Sequence, residues 1–224
     1  MNSNRKSYSW QRVNCSYEKG LYMRIERVES LDKRKCKVFT DEDFAFLLYN
    51  GELEKYGVCE GAVLEERTER ELLDLLSRRA HERALNLLKV QDRTEGEMCR
   101  RLFQDGYPDS IVQETIGFLQ EYHFVDDARY AANYLQVHGK RKSQAELKLY
   151  LQRKGISREI IREQLEETEH DLGEAIRVLL EKKHYRAGET APEEKKKIIA
   201  YLMRRGFSWE DIRREMKEQE DALG

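Results

Sequence analysis

Apolar residues recur with helical spacing along the last two thirds of the chain. Between positions 66 and 90, leucines and alanines return every three or four residues, which places them on one face of a long helix. The same spacing continues in shorter segments up to about residue 218, most of them bounded by a capping residue or a glycine. The pattern predicts a series of amphipathic helices from residue 65 onwards.

A leucine–glycine–apolar pattern occurs three times in this helical part. In each copy a leucine precedes a glycine by four residues and an apolar residue follows it; the glycines are Gly106, Gly155 and Gly206. Their spacings of 49 and 51 residues are typical of tandem modules. A glycine can end one helix in the left-handed conformation and lead into the next at a steep angle. We therefore expect three tandem three-helix modules in which these glycines are structural.

Capping signals mark where the second helix of each module begins. Thr94 with Glu97, and Ser143 with Glu146, form two capping boxes, and Pro192 opens the corresponding helix of the third module. The predicted modules are 65–122, 123–169 and 170–224. Because such modules stack in series, we expect an elongated curved rod with a long surface and no obvious pocket. The third module differs from the second in a longer loop at 186–190 and in Asp211, which holds a usually apolar position.

The segment before the helices has a different period. Residues 22–28 and 36–39 alternate between apolar and polar around a turn-like stretch at 30–34, which predicts a β-hairpin. Residues 41–48 could add a third strand, and 51–57 suggest a short helix that glycine ends. We expect a flexible N-terminus at 1–20 and a small β-containing N-terminal domain at 21–64. The predicted fold class is therefore mainly α, with a small β-hairpin-containing domain in front.

Composition narrows the class of protein. The chain is 38% charged and 39% hydrophobic, so thin helical cores fit better than one large core. With 41 basic and 43 acidic residues, the net charge of -2 does not indicate nucleic acid, and any electrostatic role must come from local patches. There is no run of 18 apolar residues and no signal-peptide pattern, so we expect a cytoplasmic protein without a membrane span. Four cysteines without C-x-x-C spacing indicate reduced thiols.

Motifs for catalysis are absent from the sequence. The histidines have no cysteine or carboxylate partners at metal-ligand spacing, and neither glycine-rich nucleotide-binding motif occurs. The pair Asp126 and Asp127 stands at a helix start, where the helix dipole favours carboxylates, so capping explains it better than acid–base chemistry. We expect no enzyme activity, no cofactor and no metal.

Basic residues near both ends of the second helix recur in the second and third modules. They could hold phosphates, meet an acidic protein surface, or form a solvated helix face. The recurrence slightly favours a continuous binding stripe. The candidate partner-binding residues are Arg129, Lys140, Arg141, Lys142, Lys148, Arg153, Lys154, Lys196, Arg204 and Arg205.

Several motifs in the second module resemble a known family. They are Phe124-x-Asp126-Asp127-x-x-Tyr130-Ala131, the helix entry Lys142-Ser143, and the turn Leu151-x-x-Lys154-Gly155-Ile156. Together with the tandem three-helix modules, they look like the RecX family, bacterial regulators of the recombinase RecA. The resemblance covers about residues 66–218, and the hairpin region resembles an extension of some longer members.

The resemblance implies a function in recombination and DNA repair. RecX-like proteins bind RecA and its filament on single-stranded DNA, inhibit ATP hydrolysis, strand exchange and coprotease activity, and are not enzymes. A monomeric rod of three modules would suit the groove of such a filament, because weak contacts in series reinforce each other. Single-stranded or duplex DNA is a further candidate partner.

Two alternatives remain open. The modules also resemble helix-turn-helix units, so a direct DNA-binding protein is the second hypothesis. A pI near 6.3 and the glutamates in the third helix of the second module count against it. The third hypothesis is a structural scaffold, which the recurring basic stripe mildly disfavours.

Overall fold

The computed structural model describes residues 23–41, 45–168 and 172–222. The described residues fall into two compact units, one within 1–72 and one within 73–224. The elements, in chain order, are β1 (Ile25–Ser30), β2 (Lys35–Thr40), β3 (Ala45–Tyr49), α1 (Asn50–Tyr56), α2 (Glu66–Leu88), α3 (Glu95–Gln104), α4 (Asp109–Glu121), α5 (Asp127–His138), a 3-10 turn (Gly139–Arg141), α6 (Gln144–Lys154), α7 (Arg158–Glu167), α8 (Leu172–Lys182), α9 (Pro192–Arg204) and α10 (Trp209–Asp221). The mainly helical fold class is confirmed.

The N-terminal unit contains an antiparallel sheet in the order β1-β2-β3. The turn between β1 and β2 is held by Asp32, whose carboxylate accepts the amides of Arg34 at 2.7 Å and Lys35 at 2.9 Å. The predicted hairpin is therefore confirmed. A third strand is also present, but β3 begins at Ala45, and residues 42–44 of the predicted strand lie outside the described residues.

One face of this sheet forms a small core. Val38, Phe46 and Leu48 are buried there together with Tyr56 of α1. α1 ends at Gly57, which has a φ of 63° and donates its amide to carbonyls of the last helical turn. The short helix and its terminal glycine match the prediction.

Each module consists of three helices: α2–α4 in module 1, α5–α7 in module 2 and α8–α10 in module 3. The turn glycines Gly106, Gly155 and Gly206 have φ values of 85°, 96° and 88°. In each module the amide of the residue after the glycine bonds back to the carbonyl of the leucine four residues before the glycine, at 3.1 to 3.3 Å. These bonds close the end of the second helix, so the turn role of the glycines is confirmed.

Equivalent positions are buried in all three modules. The buried sets are Met98, Leu102 and Ile116 in module 1, Leu147, Leu151 and Leu165 in module 2, and Ile198, Leu202 and Met216 in module 3. α2 ends at Leu88, slightly before position 90, where the apolar periodicity ends, and Pro108 precedes α4 as its N-cap with extended backbone (ψ 159°).

Within the described residues, none of the helices combines the length and apolar character needed to cross a membrane. The same part of the chain contains no cluster of three or more His, Cys, Asp or Glu side chains that could hold a metal ion.

Candidate partner-binding surface and the joints between modules

Module 1 is held to module 2 by the capping box of α3, and we call this contact the first joint. Thr94 accepts the amide of Glu97 at 3.2 Å and donates its hydroxyl to the carbonyl of Lys154 at 2.6 Å. The Glu97 carboxylate receives the Lys154 ammonium at 2.7 Å. The same two side chains therefore close the start of α3 and bind the end of α6.

The second joint repeats this arrangement between modules 2 and 3. Ser143 accepts the amide of Glu146 at 3.2 Å and donates its hydroxyl to the carbonyl of Arg205 at 2.5 Å. The Arg205 guanidinium binds both carboxylate oxygens of Glu146, at 2.8 and 3.0 Å. Because planar guanidinium and carboxylate groups match in this geometry, the pair fixes orientation as well as distance.

The turn glycines are close-packed at both joints. A Cβ on Gly155 would lie 3.0 Å from the Cα of Gly96, and a Cβ on Gly206 would lie 2.7 Å from the Cβ of Ala145. The sequence pattern predicts the turn role of these glycines but not their contact with the preceding module. The position that holds Gly96 and Ala145 in modules 1 and 2 holds Lys196 in module 3. That lysine is exposed and pairs with a neighbouring glutamate at 3.0 Å.

The two joint cations are held in their charged form. Burial opposes the charge on Lys154, but the hydrogen bond to Glu97 and its negative charge outweigh this effect and raise the pKa of the lysine. The hydrogen bond to Glu146 likewise raises the pKa of Arg205. Their side chains are only 25% and 24% exposed. These two candidate residues therefore contact a neighbouring module within the chain.

Lys142 and Lys154 come together over a cluster of tyrosines. The rings of Tyr134 and Tyr150 stack in parallel with centroids 4.0 Å apart, and Lys142 donates to the Tyr134 hydroxyl. The Lys142 and Lys154 ammonium groups lie 5.4 and 5.5 Å from the centroid of Tyr150. Burial raises the pKa of the nearby Tyr130 to about 12, so its phenol stays protonated. Both lysines are thus packed against rings, as cations over aromatic faces commonly are.

The remaining candidates are exposed. Arg141 lies beside the second joint, because its carbonyl accepts a guanidinium N–H of Arg205 at 3.5 Å. Lys140, one residue earlier, pairs with Glu174 at 3.2 Å while its side chain stays 71% exposed. Arg204 is exposed at the end of α9. The structure therefore brings the turn before α6 and the end of α9 together, although they are far apart in sequence.

A similar group surrounds the first joint. Arg153 is exposed at the end of α6, and exposed Arg100 of α3 donates to the carbonyl of Lys154 at 3.2 Å. Arg100 is not among the sequence-predicted candidates, which all lie in the second and third modules. Of the other candidates, Arg129 donates to the carbonyl of His123 at 3.2 Å at the start of α5, and Lys148 is exposed in the middle of α6.

We call the exposed cations at the two joints the joint basic surface: Arg100, Lys140, Arg141, Arg153 and Arg204. Because they are exposed, these cations can meet carboxylates or phosphates of a partner. This distinguishes them from Lys142, Lys154 and Arg205.

Family models match all three modules. Residues 80–119 match the model described as RecX, first three-helix domain; residues 126–165 match the second, and residues 171–216 match the third. The matches follow the order of the modules and together span more than half of the chain.

Proteins and solved structures that are similar to this chain are named RecX as well. A regulatory protein RecX from Clostridium acetobutylicum is 28% identical over 203 residues, 87% of this chain and 95% of its own. One from Clostridium tetani is 33% identical over 135 residues, 58% of this chain and 62% of its own. The crystal structure of RecX from Lactobacillus salivarius superposes with a TM-score of 0.57 at 22% identity, covering 66% of this chain and 97% of that one. A crystal structure of regulatory protein RecX gives 0.56 at 22% identity, with coverages of 84% and 96%.

Proposed function

The chain belongs to the RecX family of regulatory proteins, and on that premise we propose that it binds the RecA filament on single-stranded DNA. Binding there inhibits ATP hydrolysis, strand exchange and coprotease activity, and so modulates recombination and DNA repair. The protein acts by binding and not by catalysis. The observation that supports this proposal most is the joint basic surface, which places exposed arginines beside two successive, structurally equivalent joints.

The repetition of the joints suits a periodic partner. A filament presents the same protomer surface at regular intervals, and a chain of similar modules can contact several protomers at once. When the first contact has formed, the second becomes intramolecular and is favoured by effective concentration. The joints would keep the modules at fixed angles, so that the exposed cations of both clusters meet the filament in register.

Charge on the third helices favours a protein partner over duplex DNA. In helix-turn-helix proteins the corresponding helix enters the major groove, where phosphates surround it. The exposed residues of α7 include four glutamates, at 159, 163, 166 and 167, against the two arginines Arg158 and Arg162, so the helix carries net negative charge that would repel phosphates. Direct binding to duplex DNA through these modules is therefore the weaker candidate. It predicts tight, salt-sensitive binding of duplex DNA in the absence of RecA.

The binding experiment uses RecA assembled on fluorescein-labelled single-stranded DNA with a non-hydrolysable ATP analogue. A triple charge reversal at Arg141, Arg153 and Arg204 leaves the joint contacts intact. At about 0.5 kcal/mol for each exposed cation, we expect affinity for the filament to fall about tenfold, measured by fluorescence anisotropy.

The matched control reverses three exposed arginines on the third helices, Arg158, Arg162 and Arg213. It changes net charge equally, so it should retain most of the affinity if the joints carry the contact. Equal losses in the two triple variants would assign the effect to net charge and reject the joint basic surface. Tight, salt-sensitive binding of duplex DNA without RecA would favour the alternative.

A further inference from the structure

The outer face of the N-terminal sheet combines cations with aromatic rings. Along β2, the buried residues Cys36, Val38 and Thr40 alternate with Lys35, Lys37 and Phe39. Since successive side chains of a strand point to opposite faces, the second set lies on the face away from the core. All three outward residues are half-buried by their neighbours.

The neighbouring strands extend this face. The register pairs Lys35 with Tyr49 and Phe39 with Ala45 on β3, and Phe39 with Arg27 on β1. Tyr49 is 43% exposed. The face therefore presents two aromatic rings separated along β2 by four residues, about 13 Å of strand, with Lys37 between them.

Each ring is accompanied by a cation. The Arg27 guanidinium carbon lies 4.2 Å from the centroid of Phe39, and the Lys37 ammonium lies 4.8 Å from it. The Lys35 ammonium lies 5.5 Å from the centroid of Tyr49. These contacts place positive charge over the aromatic rings, and cations together with rings are the combination that binds unpaired bases and their phosphates.

Local charge on the sheet face is positive although the whole chain is slightly acidic. On the outer face, Glu29 offsets one cation by pairing with Arg27 at 3.2 Å. The adjoining turn adds Lys33 and Arg34, both exposed. The turn carboxylate of Asp32 is committed to backbone amides; its hydrogen bond to the amide of Arg34 helps to lower the pKa of this carboxyl. The excess of cations gives the face charge complementarity to a phosphate backbone.

We propose that this sheet face binds single-stranded nucleic acid. Bases stack on Phe39 and Tyr49, and the cations Arg27, Lys35 and Lys37 neutralise the phosphates between them. Duplex bases are stacked on each other and cannot reach half-exposed rings on a sheet, so the face selects unpaired strands. None of these residues belongs to the joint basic surface or to the residues matched by the family models, which begin at position 80, so the test needs no RecA.

The test measures anisotropy of a labelled oligothymidylate titrated with the full chain, with a duplex of the same length for comparison. We expect the single strand to bind more tightly than the duplex. Phe39→Leu with Tyr49→Leu should weaken binding about tenfold or more, since each stacked base is lost. Tyr122→Leu removes a ring that is 60% exposed in module 1 and should leave binding unchanged.

A second variant keeps the test informative if the ring substitutions disturb the sheet. Lys35→Gln with Lys37→Gln changes only the outer face, and it should flatten the dependence of log K on log salt by about 0.7 for each cation removed. The control Lys217→Gln, at an exposed lysine of α10, should leave that slope unchanged. Absence of binding to the oligothymidylate, equal binding of duplex, or sheet variants that bind as the unsubstituted chain does would each overturn the proposal. Sheet variants that lose RecA binding but keep binding of the oligothymidylate would also overturn the proposal, because the face would then be a protein contact.

Discussion

An alanine at position 206 would press module 3 against module 2. Gly206 has a φ of 88°, and a Cβ built there lies 2.7 Å from the Cβ of Ala145 and 3.1 Å from the Ser143 hydroxyl oxygen. The left-handed backbone costs an L-residue about 1 to 2 kcal/mol. The close contact with Ala145 adds an overpacking penalty of about 1 to 3 kcal/mol, since one of the two helices must move.

The matched control is Gly188→Ala in the same module. Gly188 has a φ of 74°, and a Cβ there meets nothing within 4 Å. Both substitutions share the backbone strain and the reduced entropy of the unfolded chain, so their difference isolates the joint. We expect Gly206→Ala to lower the free energy of unfolding by about 1 to 3 kcal/mol more than Gly188→Ala.

Urea unfolding followed by far-UV circular dichroism measures both variants. Adding Ala145→Gly to Gly206→Ala should recover part of the loss, and the double-mutant cycle should give a coupling of about 1 kcal/mol or more. Equal destabilisation by Gly206→Ala and Gly188→Ala, without coupling to Ala145, would refute close packing at the second joint.

Three further predictions concern single side chains. Glu146→Gln should destabilise the chain by about 1 to 2 kcal/mol in urea unfolding, because its arginine partner loses a charged acceptor, and no loss would contradict the ion pair. Ser143→Ala should cost more than Ser208→Ala by about 1 kcal/mol in the same assay, since both cap a helix but only Ser143 also binds the next module. In the native chain at pH 8, iodoacetamide should modify exposed Cys59 quickly and spare Cys99, whose pKa is raised to about 11 by burial; equal rates in mass spectrometry would contradict the burial.

Periodicity was enough to predict the helices and their turns. The glycine turns and both capping boxes follow from local chemistry, in which each residue acts on its own helix end. The hydroxyls of Thr94 and Ser143 also bind across to the next module, and no local rule contains this second role. A pattern was nevertheless present in the sequence. In both cases the capping-box glutamate of one module is matched by a cation that directly precedes the turn glycine of the next module: Glu97 by Lys154, and Glu146 by Arg205.

The candidate site could be predicted only in outline. The basic residues could be recognised as a set in the sequence. Their division into joint cations and exposed cations depends on contacts between residues that are more than fifty positions apart in the sequence. Arg100 was not predicted because it becomes part of a basic cluster only when the end of α6 meets α3 in the fold. The sheet face was not anticipated either, since pairing Phe39 with Arg27 requires the strand register, which alternation alone does not fix.

The most direct test of the proposed function is the rate of ATP hydrolysis by RecA on single-stranded DNA, titrated with this protein. If the chain binds along the filament, the rate should fall steeply at or below one molecule per RecA protomer. The triple reversal at Arg141, Arg153 and Arg204 should shift that titration to higher concentration. An unchanged rate of hydrolysis at equimolar protein would contradict the account.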